Sequence, residues 1–222
     1  MIRQFGSNEL VYIVLATRWT LVLSAIAFLG GGAFGLLIAL ARTARSALLR
    51  VAAAAYIALL QGVPLLLVIF LAYFGVGLVG IQIPPFIAAA IGLTLYAAAF
   101  LGEIWRGCIE AIPRQQWEAA AALGIAPLAG FAYVIAPQAV RIAIPPTVGF
   151  LVQLIKNTSL ASIIGFIELT RAGQLVNNAT FQPFTVFIVV AVLYFALCYP
   201  LSLLSRRLER RFHVGRRHLQ PA

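Results

Sequence analysis

The sequence predicts an all-α membrane protein with about five transmembrane helices, and three observations support that prediction. Hydrophobic residues make up 63% of the 222-residue chain, 10% are charged, and the mean hydropathy is +1.00, which is far more apolar than a soluble domain. Several apolar runs have about the 20 residues that a helix needs to cross the hydrocarbon core. Arginines cluster beside these runs, where basic residues act as topology signals.

The first apolar run predicts a span from about residue 19 to residue 41. The mixed stretch over residues 1–17 predicts a short interfacial helix before the membrane. Gly31 and Gly35 have the G-x-x-x-G spacing that lets another helix approach closely. A nucleotide loop is not expected in this run, because no strand precedes its glycines.

The second and third runs predict two further spans, over about 51–77 and 86–107. Pro64 interrupts the second span, because proline removes a backbone hydrogen bond that neighbouring groups must replace. In the third span, Glu103 and Arg106 lie one helical turn apart, so the two charges can face each other.

A more polar stretch from Glu118 to Pro137 separates the third run from the fourth. It predicts a short helix at the membrane surface followed by a turn at Gly124, the residue type that most often ends a helix. Pro127 then breaks the segment.

The fourth run extends over about 139–167, and Pro145 and Pro146 predict a break early in it. Near its far end, polar side chains recur at helical spacing and predict one polar face. These residues are Gln153, Lys156, Asn157, Thr158 and Ser159.

The last part of the chain predicts a folded extracytoplasmic segment over residues 163–183 and a fifth span over about 184–205. The tail that follows is rich in arginine and is therefore expected in the cytoplasm. Because five spans put the two termini on opposite sides, the N-terminus is expected outside. We expect residues 1–222 to form a single transmembrane domain. The tail arginines are Arg206, Arg207, Arg210, Arg211, Arg216 and Arg217.

Several function classes are excluded or disfavoured by the residues present. The only lysine, Lys156, is followed by Asn157, so no Gly-x4-Gly-Lys-Ser/Thr loop exists for ATP. We expect no catalytic residues and no metal site, because no Ser-His-acid set or ligand spacing occurs and both histidines, His213 and His218, lie in the basic tail. The net charge of +10 does not indicate nucleic-acid binding, since its basic residues flank apolar runs.

The stretch that begins at Glu118 resembles the EAA loop of the membrane subunits of bacterial ABC importers, and further motifs resemble the polar amino acid permeases among them. The similar motifs are Gln61–Leu65, Glu103 to Glu118, Pro137 to Pro145, Lys156 to Leu160 and Glu168 to Thr170. This chain has Gln61 and Asn157 where that family usually has Arg and Asp.

The resemblance implies a coupling helix in a cytoplasmic loop over about 113–137, which sits in a groove of an ATPase subunit. The implied coupling residues are Glu118, Ala119, Ala120 and Gly124. It implies alternating access in the bacterial inner (cytoplasmic) membrane. The implied partners are an ATPase dimer, a second permease copy or a homologous permease, an extracytoplasmic amino acid binding protein and membrane lipid, but no nucleic acid. ATP and Mg would be bound by the ATPase, and this chain would need no cofactor.

Polar residues inside the spans are the candidates for a substrate path, because a buried charge in a bilayer costs about 2.5–3.5 kcal/mol and needs a partner or a water-filled route. The alternative is purely structural pairing, of Glu103 with Arg106 and of Lys156 with Glu168 or a carbonyl. The candidates are Gln61, Glu103, Gln153, Lys156, Asn157, Ser159 and Glu168. Two other functions remain open here, an ion-coupled carrier or channel without an ATPase, and an assembly scaffold.

Overall fold

The computed structural model describes residues 4–44, 46–78 and 80–213. Every regular element in these ranges is helical. The described residues do not include the tail residues Arg216, Arg217 and His218, nor Arg3 and Arg45, two of the arginines that flank the apolar runs.

Ten α-helices follow one another in the described residues, with two π-helical turns and one 3-10 helix between them. The α-helices are α1 Ser7–Thr43, α2 Ala47–Gly62, α3 Leu65–Phe70, α4 Val76–Leu78, α5 Pro85–Glu110, α6 Arg114–Ala122, α7 Pro127–Gly130, α8 Ala136–Asn157, α9 Leu169–Thr180 and α10 Pro183–His213. The π-helical turns are Leu71–Gly75 and Phe131–Ile135, and the 3-10 helix is Thr158–Ile164.

Four helical stretches are long and apolar enough to cross a membrane, and a fifth span results if the bent pair of helices around Pro64 is counted as one. The four are Ser7–Thr43, Pro85–Glu110, Pro127–Ile164 and Pro183–Phe212. The prediction of an all-α membrane protein with about five spans is therefore confirmed. Which side of the membrane each terminus occupies stays a prediction.

The first helix differs from the prediction, since α1 runs without interruption from Ser7 to Thr43 and, from residue 4 onward, no separate interfacial helix precedes it. No proline interrupts this stretch. Its N-terminal part is held by tertiary packing, because Ile13 lies in one apolar cluster with Leu169 of α9 and Val186 of α10.

The α1 glycines pack directly against α5, as their spacing predicted. A Cβ added at Gly31 would lie 2.4 Å from the Ala97 Cβ, and one at Gly35 would lie 3.1 Å from the Ala98 carbonyl oxygen. The two backbones can approach this closely because Gly31 and Gly35 have no side chains. The α1–α5 pair forms the centre of the main apolar cluster, which includes Leu23, Leu93 and Leu101.

The predicted break at Pro64 is confirmed. Helix α2 ends at Gly62 and α3 begins at Leu65, with a bend of 103° between α2 and the helical segment that follows. Leu65 packs in the same apolar cluster as Leu154 of α8. The segment after the break packs against α5 and the 3-10 helix Thr158–Ile164.

The predicted break at Pro145 and Pro146 was wrong, because α8 continues through both prolines. Neighbouring helices stabilise the segment there: Pro145 is buried, and the Ser205 hydroxyl of α10 donates a hydrogen bond of 2.9 Å to the Pro145 carbonyl oxygen. Membrane helices tolerate proline where such neighbours satisfy the backbone.

Candidate functional site

The stretch from Arg114 to Gly124 forms a surface helix and the turn that ends it, as predicted. Gly124 has a φ of +72°, in the left-handed region. The Ile125 N–H donates to the Ala120 carbonyl at 3.1 Å, and the Gly124 N–H donates to the Ala121 carbonyl at 2.9 Å. This pair of bonds is a Schellman motif, which satisfies the last carbonyls of α6 and redirects the chain.

The three neighbouring coupling candidates on α6 do not share one environment. Glu118 and Ala119 are exposed, whereas Ala120 is only 7% exposed. Ala120 faces Gly130 of α7, where an added Cβ would lie 3.5 Å from the Ala120 Cβ. Glu118 and Ala119 are therefore free to meet a partner, and Ala120 holds the helix in place.

Helix α6 is attached by side-chain contacts to the base of α8, meaning its N-terminal end and the π-helical turn before it. The rings of Trp117 and Phe131 stack with centroids 6.2 Å apart. Gln138 donates to the Gln116 side-chain oxygen at 3.5 Å and to the Val134 carbonyl at 2.8 Å. These contacts are suited to transmit a displacement of α6 to α8.

The end of α5 belongs to the same attachment. Ile109 and Ile112 pack with Ile135 and Ala139 in one apolar cluster. Phe131, which stacks on Trp117 of α6, packs against this cluster, so the contacts of α6 lead to both α5 and α8.

The far end of α8 gathers four of the predicted path residues. Gln153 and Lys156 are exposed, and Asn157 and Ser159 are half-buried. The Asn157 side chain lies near the Tyr96 hydroxyl of α5. The Ser159 hydroxyl donates to the Lys156 carbonyl at 2.7 Å.

Thr158 does not lie on this polar face, which corrects the prediction. Its side chain is buried and donates to the Ile155 carbonyl at 2.7 Å. The reason is helical geometry, because residues two apart, such as Lys156 and Thr158, point to opposite sides of a helix.

Glu103 is engaged by a cation and lies apart from Lys156. The Arg106 Nε donates to the Glu103 carboxylate at 2.9 Å, and a second guanidinium nitrogen contacts the other carboxylate oxygen. Arg106 also bonds Glu110. Glu103 follows Tyr96 by two helical turns on the same face of α5, about 10 Å further along the axis.

Glu168 is 0% exposed and caps the N-terminus of α9. Its carboxylate accepts hydrogen bonds from the Arg171 N–H at 2.9 Å and the Tyr194 hydroxyl at 2.9 Å, and more weakly from the Thr20 hydroxyl at 3.5 Å. The Leu169 N–H donates to the Thr20 oxygen at 3.1 Å. One carboxylate thus joins α1, α9 and α10.

Burial raises the pKa of the Glu168 carboxyl, and its hydrogen bonds with Thr170, Arg171, Tyr194 and Thr20 lower it by less. The neutral form is favoured by desolvation, while the donors favour the carboxylate. Among the described residues, no ion pair joins Glu168 to Lys156.

Gln61 is exposed and lies on the last turn of α2, just before the break at Pro64. The last carbonyls of a helix lack intrahelical donors. The break therefore offers backbone oxygens beside the Gln61 amide.

A separate groove of about 750 Å³ lies between α1, α5 and α8 and contains none of the predicted path residues. Its lining is apolar and includes Leu36, Ile109 and Ile144. The Trp105 indole N–H, which could have served a polar ligand, donates instead to the Thr147 hydroxyl at 2.9 Å. This groove is unsuited to a polar solute.

Two features of the site were not found from the sequence. The Trp117–Phe131 stack could have been suspected from two aromatic residues that flank the Gly124 turn. The attachment of Glu168 to Thr20 and Tyr194 gave no local signal, because these partners are far apart in the chain.

Comparison with known proteins shows that this chain is similar to transport proteins. Residues 31–214 match the family described as binding-protein-dependent transport system inner membrane component. The probable amino-acid ABC transporter permease protein YckA of Bacillus subtilis (strain 168) is 36% identical over 201 residues, covering 90% of this chain and 89% of that protein. The probable glutamine ABC transporter permease protein GlnM of the same organism is 34% identical, covering 87% of this chain and 91% of that protein.

Solved structures have the same fold. A crystal structure of an amino acid ABC transporter with histidines superposes with a TM-score of 0.87 at 30% identity, covering 94% of this chain and 100% of that chain. An inward-facing structure of the MetNI methionine ABC transporter superposes with a TM-score of 0.77 at 22% identity, covering 94% of this chain and 99% of that chain. The second likeness concerns the fold alone.

Proposed function

This chain belongs to the family of binding-protein-dependent transport system inner membrane components, and from that membership we propose that a polar amino acid crosses the membrane through it by alternating access. It is a multi-pass inner-membrane protein and a permease subunit of an amino acid ABC importer. The observation that carries the proposed mechanism is the attachment of α6, through Trp117 and Phe131, to the base of α8.

The partners follow from the family. We propose that an ATPase dimer binds ATP and Mg and hydrolyses the nucleotide, that a second permease copy or a homologue completes the membrane domain, and that an extracytoplasmic binding protein delivers the amino acid. The α6 loop and the C-terminus lie in the cytoplasm and the N-terminus lies outside, an orientation that the basic residues beside the spans support.

The exposed side of α6, with Glu118 and Ala119, contacts the ATPase. When the ATPase subunits close, α6 moves as a rigid body because its Schellman turn at Gly124 and its buried Ala120 fix it to the following segment. The movement reaches α5 and α8, and reorients the polar end of α8 between the two sides.

The path itself passes Gln61, Gln153, Lys156, Asn157 and Ser159. Glu103 and Glu168 support the path helices without contacting the solute, because Glu103 pairs with Arg106 and Glu168 is enclosed. An ion-coupled carrier is less well supported, since those two carboxylates, which could bind a coupling ion, are already engaged.

The Ala119→Arg variant tests the ATPase contact. Because Ala119 is exposed, arginine leaves the fold intact but inserts a bulky charge into the interface, and we expect the amount of co-purified ATPase to fall about tenfold, a loss of about 1.4 kcal/mol. The measurement is the ratio of ATPase to permease after affinity purification from membranes.

The matched control is Ala179→Arg, the same change at an exposed position of α9, which should leave the ratio unchanged. If wild-type permease brings down no ATPase, or if both variants behave alike, the proposed role of α6 is wrong.

A further inference from the structure

We infer that the amino acid carried through this path has a neutral or acidic side chain and that cationic amino acids are rejected. The inference rests on the proposed function, since it names the charge class of the solute that the same path accepts. It depends on a count of the carboxylates in the chain and on the surroundings of Lys156.

The chain contains six acidic residues, all glutamates, and each lies in the described residues. Three lie on other elements: Glu9 in the first turn of α1, Glu118 on α6 and Glu209 near the end of α10. Glu110 ends α5 and bonds Arg106. The remaining two are Glu103 and Glu168, the glutamates that support the path helices.

Both of these carboxylates are already engaged by groups of this chain. Glu103 is bonded through both oxygens by Arg106. Glu168 is fully enclosed, and its oxygens already accept from Arg171 and Tyr194. A lysine or arginine solute would thus find no free carboxylate from this chain.

The path does offer a cation. Lys156 is exposed within the candidate span Pro127–Ile164, and in the described part of the chain its ammonium has neither a salt bridge nor a hydrogen bond. Its neighbours are the neutral Asn157 and, electrostatically, the thiol of Cys198. A charge inside a membrane needs a counter-ion or water, and the carboxylate of an amino acid supplies the counter-ion.

The same arrangement discriminates between side chains. Every amino acid brings an α-carboxylate that can pair with Lys156. A carboxamide side chain can bond Gln153 and Asn157, and an acidic one strengthens the attraction to Lys156. A cationic side chain repels Lys156, and such like-charge contacts reduce affinity strongly.

The test is direct binding to the purified permease–ATPase complex without the binding protein, so that the binding protein's own selectivity does not contribute. Labelled glutamine, glutamate, arginine and lysine are the probes in equilibrium dialysis. We expect glutamine or glutamate to bind at least about tenfold more tightly than arginine and lysine, and Lys156→Gln to remove most of that difference.

A second variant adds the missing carboxylate. Asn157→Asp should tighten arginine binding by about tenfold relative to glutamine, because it gives the cationic side chain a partner. Asn178→Asp, at an exposed position of α9, is the matched control and should leave the preference unchanged.

The inference is overturned if wild-type complex binds arginine as tightly as glutamine, if Lys156→Gln preserves the preference, or if none of the four probes binds. If an ATPase co-purifies but arginine binds most tightly, the inferred charge class of the solute is wrong and the proposed function still stands. Absence of any ATPase would instead contradict the proposed function.

Discussion

Replacing Gly124 with valine is expected to abolish most ATP-driven uptake while leaving the permease in the membrane. A non-glycine residue in the left-handed region costs about 1–2 kcal/mol, and a β-branched one is a strong outlier there. No heavy atom lies within 4 Å of a Cβ added at Gly124, so the strain is confined to the backbone of the turn. The Schellman bonds between Ala120 and Ile125 then open, and α6 loses its rigid attachment.

The measurement is uptake of a labelled amino acid, normalised to the amount of permease in the membrane, and we expect a reduction of about tenfold, equivalent to 1.4 kcal/mol of coupling. Gly124→Asn is the control, because asparagine adopts the left-handed conformation far more readily. Normal uptake by the valine variant, or equal losses in both, would show that this turn is not needed for coupling.

Replacing Glu168 with leucine is expected to produce a large loss of stability. The change removes the cap of α9, which is the bond from the Arg171 N–H and is worth about 1 kcal/mol. It also removes the carboxylate that accepts from the Tyr194 hydroxyl, at about 1–3 kcal/mol. The total of about 2–4 kcal/mol should lower the thermal unfolding midpoint of the purified protein by several degrees.

Tyr194→Phe is the companion variant, since it removes only one of the donors and should cost less. If the leucine variant unfolds at the wild-type temperature, Glu168 does not hold α1, α9 and α10 together.

The pH dependence provides a separate readout of Glu168. Its folded pKa is raised by burial, so the folded state holds this proton more tightly than the unfolded state does. Stability from this group is therefore greatest below the ordinary glutamate pKa and falls as pH rises through the raised folded value. Glu168→Gln should remove that part of the pH dependence.

Much of the architecture was predictable because membrane helices are read from long apolar runs and from close-packed glycines. The spacing of Gly31 and Gly35 predicted the close approach that α1 makes to α5, and Gly124 predicted the turn after α6. These features depend on residues near one another in the chain.

The errors have a common physical origin, since each depended on distant partners. A proline pair normally ends a helix, yet Pro145 is buried and its carbonyl receives the Ser205 hydroxyl from α10. The α1 extension toward the N-terminus is fixed by Ile13 packing with α9 and α10. Nothing local in the sequence indicated either contact.

The candidate path was predictable as a set of polar residues but not as an arrangement. Spacing alone could not decide whether Lys156 pairs with Glu168, and the two prove to be unpaired because Glu168 is committed to the α9 cap. The resulting imbalance, an exposed cation without a carboxylate partner in the described residues, appears only when side chains are placed in three dimensions.

The most direct test of this account is the energy source for uptake, measured in proteoliposomes that contain the purified permease–ATPase complex and the binding protein. We predict that uptake of labelled glutamine requires hydrolysable ATP on the side of α6 and persists when ionophores collapse the proton and sodium gradients. Uptake without ATP that disappears with those gradients would contradict the account and identify an ion-coupled carrier.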